Sequence, residues 1–144
     1  MIDAIRQNLA QRPWWMNGLL FFCAYMAIFY MPWDLFAKPV AHDEEVWFGI
    51  RLTGWAAKAT EPFHWAIYAA GTWGFWKMRA WMWPWAAVYA AQVAVGMLIW
   101  PLLYVAGVGG IALGVASFVV FGALTRALWN AKRHFRPESE GAAA

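Results

Sequence analysis

The sequence is poor in the residues that carry chemistry in many soluble enzymes. It has one cysteine, Cys23, which excludes a disulfide framework within the chain and a cysteine-based zinc site. Its only serines are Ser117 and Ser139, and neither is placed near a histidine that would act as its base. No glycine-rich phosphate loop follows a strand, and no strand is predicted at all. These absences favour a non-enzymatic function.

Charged residues are also scarce. Only 13% of the 144 residues are charged and 63% are hydrophobic, whereas an average soluble domain is about a quarter charged. A compact water-soluble fold of this length cannot hide so much apolar surface, so the chain is predicted to be an integral membrane protein with the lipid bilayer as its solvent. The net charge is +3, but the basic residues lie at the ends of apolar runs and not in one patch. That placement argues against a nucleic-acid partner.

Four apolar runs predict four transmembrane helices in one domain, residues 1–136, followed by a flexible tail, 137–144. A helix of about 20 apolar residues matches a hydrocarbon core of about 30 Å. The second run is shorter, and it is expected to span by snorkelling of a flanking lysine or by local thinning of the bilayer. Pro101 is expected to kink or end the third helix. The predicted spans are about 14–33, 62–76, 81–105 and 110–129.

Two polar segments flank the first span. Residues 3–9 predict a short amphipathic helix on the membrane surface, with Arg6 and Arg12 toward water. Between the first two spans, Asp43 is a plausible N-cap, and apolar and charged residues then alternate with helical spacing to about residue 58. The predicted fold is therefore all-α: a membrane four-helix bundle with an amphipathic interfacial helix over residues 43–58.

The distribution of lysine and arginine predicts the orientation. Cytoplasmic flanks carry the excess of these residues in membrane proteins. With four spans and a cytoplasmic N-terminus, the outer segments hold only Lys38, Arg51 and Lys58, whereas the remaining lysines and arginines lie inside. We therefore predict an inner-membrane protein with both termini in the cytoplasm. The basic residues on the inner side are Arg6, Arg12, Lys77, Arg79, Arg126, Lys132, Arg133 and Arg136.

Histidines and carboxylates in the outer segment raise the question of a metal site. Glu61 and His64 have the Glu-x-x-His spacing that metal-binding helix bundles use, and His42 with Glu44 or Glu45 would supply further ligands. The simpler interpretation is that these residues cap helices and are solvated at the headgroup level. No cofactor is predicted, and a metal ion at these five residues is kept as an alternative.

Polar and aromatic residues inside the spans suggest a second kind of site. Gln92 and Tyr89 lie near the middle of the third span, where a polar side chain needs a partner. They are candidates for lining a pore or for binding a ligand. Tyr25 and Tyr68 are further candidates for a pocket that takes a flat apolar ligand such as a quinone or a lipid.

Small residues at the start of the fourth span predict close helix packing. Ala106, Gly110 and Gly114 recur every four residues, a spacing that lets two backbones approach. The partner helix belongs either to the same chain or to a second protein. The leading hypothesis is thus a small membrane protein that acts by self-assembly, or as a non-catalytic accessory or scaffold subunit. A small transporter or channel is the alternative, and a metal-dependent membrane enzyme or an apolar-ligand binder comes after it.

Overall fold

The computed structural model of the chain describes residues 2–135, which are mostly helical. Three helices are long and apolar enough to cross a membrane: Trp14–Phe36, Met82–Tyr104 and Gly107–Asn130. Each coincides with a predicted span, so the chain has the character of a membrane protein. The helix at the predicted second span, Glu61–Lys77, has 17 residues and is not one of the three, so the four-helix bundle remains a prediction.

The described residues form two compact units. The first comprises residues 2–37, 61–82 and 133–135, and the second comprises residues 38–60 and 83–132.

Helix α5 (Glu61–Lys77) packs along the N-terminal membrane helix in the first unit. That membrane helix is α-helical at both ends, but a π-helical segment interrupts it over Met26–Tyr30. The core of the first unit contains Met16, Leu20 and Met31. The helices are α1 (Ile2–Ala10), α2 (Trp14–Tyr25), α3 (Met31–Phe36) and α5 (Glu61–Lys77).

A buried arginine joins α2 to the end of α5. The Arg12 guanidinium donates to the backbone carbonyls of Phe75 and Trp76, and to the side-chain oxygens of Asn8 and Asn17. The prediction that Arg12 points toward water is wrong, because only 5% of its surface is exposed. Burial lowers the pKa of Arg12 from its usual value. A cation at this position satisfies carbonyls that the last turn of a helix leaves open and complements the helix dipole.

The second unit is built on a pair of long helices, α6 (Met82–Tyr104, of which residue 82 belongs to the first unit) and α7 (Gly107–Asn130). The helix continues for one turn beyond Pro101. Near the start of α6, the indole N–H of Trp83 donates to the carbonyl of Trp129 at 2.9 Å, so the start of α6 is in contact with the end of α7.

A β-hairpin lies where the sequence predicts one helix over residues 43–58. Strands β1 (Glu44–Trp47) and β2 (Ile50–Thr53) pair antiparallel, with Glu44 opposite Thr53 and Trp47 opposite Ile50. Only the four residues of α4 (Trp55–Lys58) are helical. The predicted interfacial helix is therefore wrong. The spacing of the apolar residues fits a helix, but the same residues also alternate on the two sides of a turn, and the β-branched Val46, Ile50 and Thr53 favour strands.

Candidate functional site

Residues 38–60 of the second unit contain the hairpin together with a network of ion pairs and hydrogen bonds, and we call this segment the hairpin module. The Asp43 side chain lies at its base and is fully buried. Its two carboxylate oxygens form ion pairs with two ammonium groups, Lys38 at 2.8 Å and Lys58 at 3.1 Å. A buried charge is tolerated only where opposite charges and hydrogen bonds compensate it, which is the arrangement seen here.

Backbone bonds close the same base. The Gly54 N–H donates to the Asp43 carbonyl at 2.9 Å, and the Lys58 ammonium also donates to the Lys38 carbonyl at 3.2 Å. Lys58 therefore ties the start and the end of the module together through two different acceptors. The module is a closed structural element and not a loose connection.

The turn of the hairpin lies against α6. Phe48 and Gly49 both have positive φ, 52° and 85°, as a two-residue hairpin turn of the primed type requires. A Cβ at Gly49 would lie 2.6 Å from the Ile99 methyl Cγ2 and 3.1 Å from the Gly96 carbonyl oxygen. Only glycine fits this position, because it combines the left-handed backbone with the close approach to a helix.

A tyrosine at the end of α6 holds the second strand. The Arg51 backbone N–H donates to the Tyr104 hydroxyl at 3.2 Å, and the Arg51 guanidinium lies 4.9 Å from the centre of the Tyr104 ring. Arg51 also forms an exposed ion pair with Glu44 at 3.6 Å. The position of the hairpin on α6 is therefore defined at two levels, the turn and the second strand.

This well-anchored module exposes large apolar side chains. Phe48 is 59% exposed, Ile50 50% and Trp55 76%. The face of the sheet that carries Glu44 and Arg51 is also exposed and is polar. A rigid element that presents aromatic side chains beside polar groups has the composition of a protein contact surface.

The first unit contains a buried carboxylate pair. Asp34, in the last turn of the N-terminal membrane helix, and Glu61, the first residue of α5, are both fully buried. Each offers a carboxylate oxygen within 4.8 Å of the other, and both also interact with other groups. The pair lies where the end of the N-terminal membrane helix meets the start of α5.

The residues predicted as metal ligands are divided between the units. Glu61 and His64 belong to the first, and His42, Glu44 and Glu45 to the second. His42 and Glu44 are exposed, whereas Glu61 is buried. The carboxylate that the structure brings beside Glu61 within the first unit is Asp34, which is not one of the predicted ligands.

The predicted pore or pocket residues are half-buried, apart from one. Gln92, Tyr89 and Tyr68 are partly covered, and Tyr25 is exposed. The Tyr68 ring makes an edge contact with Phe22, with 5.8 Å between the ring centres. Two clefts of the described residues lie elsewhere: one is at the turn between α6 and α7, and the other lies between the π-helical segment and α5.

The small residues of α7 pack within the chain. A Cβ at Gly114 would lie 2.9 Å from the Leu98 carbonyl oxygen, and one at Gly110 would lie 2.7 Å from the Pro101 carbonyl oxygen. Both glycines are buried, whereas Ala106 is exposed just before α7. Of the two partners that the spacing allows, the structure supports a helix of the same chain.

Sequence reasoning missed the burial of Asp34 and the pairing of buried Asp43 with two lysines. Asp34 directly follows the predicted first span, and ionisable residues at that boundary are expensive unless they have a role. That signal was available for Asp34. The pairing of Asp43 with Lys38 and Lys58 was not readable, because it depends on the hairpin.

Comparison with known proteins gives no match to a family model, to a curated protein or to a solved structure.

Proposed function

We propose that this protein is a small, non-catalytic inner-membrane component that acts by self-assembly, or as an accessory or scaffold subunit of a membrane complex, with the hairpin module as its contact surface. The observation that carries the proposal is the combination of firm anchoring and apolar exposure in one segment. Asp43 is buried between two lysines, and the module still leaves Phe48 and Trp55 exposed.

Anchoring matters because binding orders flexible groups at a cost. A pre-organised surface loses less conformational entropy on association than a mobile loop of the same composition. Aromatic side chains are the residues that most often dominate protein contacts. A module fixed at its base and at its turn, with Phe48, Ile50 and Trp55 outward, meets both conditions.

The proposed arrangement in the membrane follows the basic residues. Three segments outside the proposed spans carry most of the lysine and arginine: the N-terminal segment, the short connection that contains Lys77 and Arg79, and the segment after α7. With α5 as a fourth span, all three lie on one side, and the positive-inside rule places that side in the cytoplasm. The hairpin module then faces the opposite side of the membrane.

The test is native mass spectrometry of the full chain in mild detergent. We expect a defined oligomer, or a stoichiometric foreign membrane subunit, for the wild type. The double variant Phe48→Ser/Trp55→Ser should release the partner and leave a folded monomer. A wild-type protein that runs as a monomer without any partner contradicts the proposal.

A matched control separates recognition from general loss of apolar surface. Phe36 and Phe63 are exposed aromatic residues of the first unit, 75% and 66% exposed. The double variant Phe36→Ser/Phe63→Ser should retain the oligomer. Equal loss in both double variants would show that the hairpin module is not the contact surface.

A further inference from the structure

The first unit contains an open apolar groove of about 430 Å³ between the π-helical segment and α5. Ala27 and Ile28 line one side, and the other side is α5 from Trp65 to Trp76, with Trp73 between them. Ala69 and Thr72 of α5 complete its lining. The groove is a built feature of one unit and is separate from the hairpin module.

The π-helical segment explains why the groove is present. A π turn widens the helix and leaves a carbonyl without its usual partner in the next turn, and such bulges occur often at functional sites. The Ala27 carbonyl accepts the indole N–H of Trp65 at 2.8 Å. This bond fixes the Trp65 ring at one end of the groove.

The dimensions of the groove match one leaflet of a bilayer. Trp65 and Trp76 lie about 16 Å apart along the axis of α5 at 1.5 Å per residue. The hydrocarbon core is about 30 Å thick, so one leaflet is about 15 Å. Ala27 lies near the middle of the membrane helix Trp14–Phe36, which places the groove at hydrocarbon depth. Its length and apolar lining fit an acyl chain.

Cations flank the end of the groove at Trp76. The Lys77 ammonium lies 5.5 Å and the Arg79 guanidinium 6.0 Å from the centre of the Trp73 ring. The backbone places Arg79 there: Met78 follows α5 at positive φ, and the Arg79 N–H donates back to the Gly74 carbonyl at 3.0 Å. This is the pattern of a Schellman motif, which turns the chain back over the last helical turn.

We propose that this groove binds an anionic phospholipid. One acyl chain lies along α5 between Trp65 and Trp76, and the headgroup phosphate pairs with Lys77 and Arg79. Basic residues at the membrane surface attract anionic lipids, and cation–π contact with the Trp73 ring keeps both cations beside the apolar channel. The apolar channel recognises the acyl chain, and the cations at its end recognise the anionic headgroup.

The test is native mass spectrometry of the full chain titrated with palmitoyl-oleoyl-phosphatidylglycerol or with the phosphatidylcholine of the same chains. We expect the wild type to bind phosphatidylglycerol about 30-fold more tightly, the effect of about 1 kcal/mol for each of two cations. Lys77→Gln/Arg79→Gln should remove this preference and leave binding of both lipids at the phosphatidylcholine level. Lys132→Gln/Arg133→Gln, which removes the same charge elsewhere, should retain it.

A second pair of variants tests the apolar channel. Ala69 lines the groove and is exposed, whereas Ala66 is exposed on the same helix outside it. Ala69→Phe should fill the channel and weaken binding of both lipids at least about tenfold, and Ala66→Phe should have no such effect. Because both positions are exposed, both variants are expected to fold.

Three outcomes would overturn the site. These are equal affinity of the wild type for the two lipids, equal losses in the two charge variants, and equal losses in the two phenylalanine variants. Displacement of phosphatidylglycerol by millimolar inorganic phosphate would show that the cations bind free phosphate and would likewise overturn the lipid assignment. A wild-type monomer that prefers phosphatidylglycerol would contradict the assembly function and support this site, so the two proposals fail independently.

Discussion

The two compact units each bury an ion but compensate it differently. In the first, Arg12 is surrounded by neutral oxygens, those of backbone carbonyls and asparagine side chains. In the second, Asp43 lies between two full positive charges, Lys38 and Lys58. Arg12 sits at the C-terminal end of α5, where aligned peptide dipoles favour a cation. A two-stranded hairpin has only a small net dipole, so a buried carboxylate there needs formal charges instead.

This difference predicts which loss destabilises the protein more, that of the Arg12 charge or that of the Asp43 charge. Removing Arg12 leaves polar oxygens unsatisfied, but no isolated charge remains. Removing the charge of Asp43 leaves two lysines, with side chains only 16% and 11% exposed, facing each other. An uncompensated buried charge costs more than an unsatisfied carbonyl.

The largest effect is therefore expected for Asp43→Asn. We expect it to lower the free energy of unfolding by about 3–5 kcal/mol, because both lysines lose their counter-ion inside the module. SDS titration of the detergent-solubilised protein, followed by tryptophan fluorescence, measures this change. The control is Glu44→Gln, which removes an exposed ion pair and should cost less than about 1 kcal/mol. A similar loss of unfolding free energy in the two variants would mean that the buried ion pairs of Asp43 contribute no more than an exposed ion pair.

Arg12→Gln comes next, with an expected loss of about 2–3 kcal/mol. Hydrogen bonds from a charged donor contribute about 1.5–3 kcal/mol, and glutamine retains part of the bonding to Phe75 and Trp76. Arg6 provides a matched control because it is exposed on α1, and Arg6→Gln should change the stability by less than about 0.5 kcal/mol. If Arg12→Gln proves more destabilising than Asp43→Asn, the comparison of the two units is wrong.

A third variant tests the attachment of the hairpin module to α6. Gly49→Ala should lower the stability by about 2 kcal/mol, because alanine is strained at φ of 85° and its Cβ overlaps Ile99. Gly18→Ala, in α2 with open space around it, should raise the stability by up to about 1 kcal/mol through helix propensity. Thermal unfolding of the two variants side by side gives the sign of each effect. A neutral Gly49→Ala would show that the turn does not need its close approach to the helix.

The smallest expected difference in stability is between alanine substitutions at two glycines, Gly114 of the second unit and Gly71 of the first. A Cβ at Gly114 would meet the Leu98 backbone carbonyl at 2.9 Å, whereas one at Gly71 would meet the Cys23 side-chain sulfur at 2.9 Å. Backbone cannot move aside easily, but a side chain can rotate. We expect Gly114→Ala to cost about 1–2 kcal/mol and Gly71→Ala less than about 1 kcal/mol. Equal costs in the same SDS titration would contradict this distinction.

The long helices were readable from the sequence, and the hairpin was not. Uninterrupted apolar runs around Trp14–Phe36, Met82–Tyr104 and Gly107–Asn130 have few alternatives to a helix in lipid. The segment 43–58 is different, because its apolar residues satisfy helical spacing as well as alternation. Its turn, Phe48-Gly49, lacks the Asn-Gly or Asp-Gly pair that announces a hairpin in sequence. Contact of Gly49 with α6 resolves the ambiguity.

The candidate sites divide in the same way. Glu61 drew attention through its spacing to His64, yet the carboxylate beside it is Asp34. The predicted apolar pocket was assigned to Tyr25 and Tyr68, but the groove of the first unit is lined by three tryptophans, Trp65, Trp73 and Trp76. A π-helical segment has no sequence signature of its own, so the position of the groove was not predictable. The number of spans, the orientation and the residues Gln92 and Tyr89 remain predictions.

Hydropathy and helix length act locally along the chain, so the amino-acid sequence establishes that lipid is the solvent for much of it and where three long helices lie. Which charges are buried, and what compensates them, follows from contacts in the folded chain. Arg12 requires the end of a helix more than sixty residues away, and Asp43 requires a hairpin that brings Lys58 back to Lys38. Those contacts join segments that are distant in the chain, so they cannot be predicted from composition or periodicity.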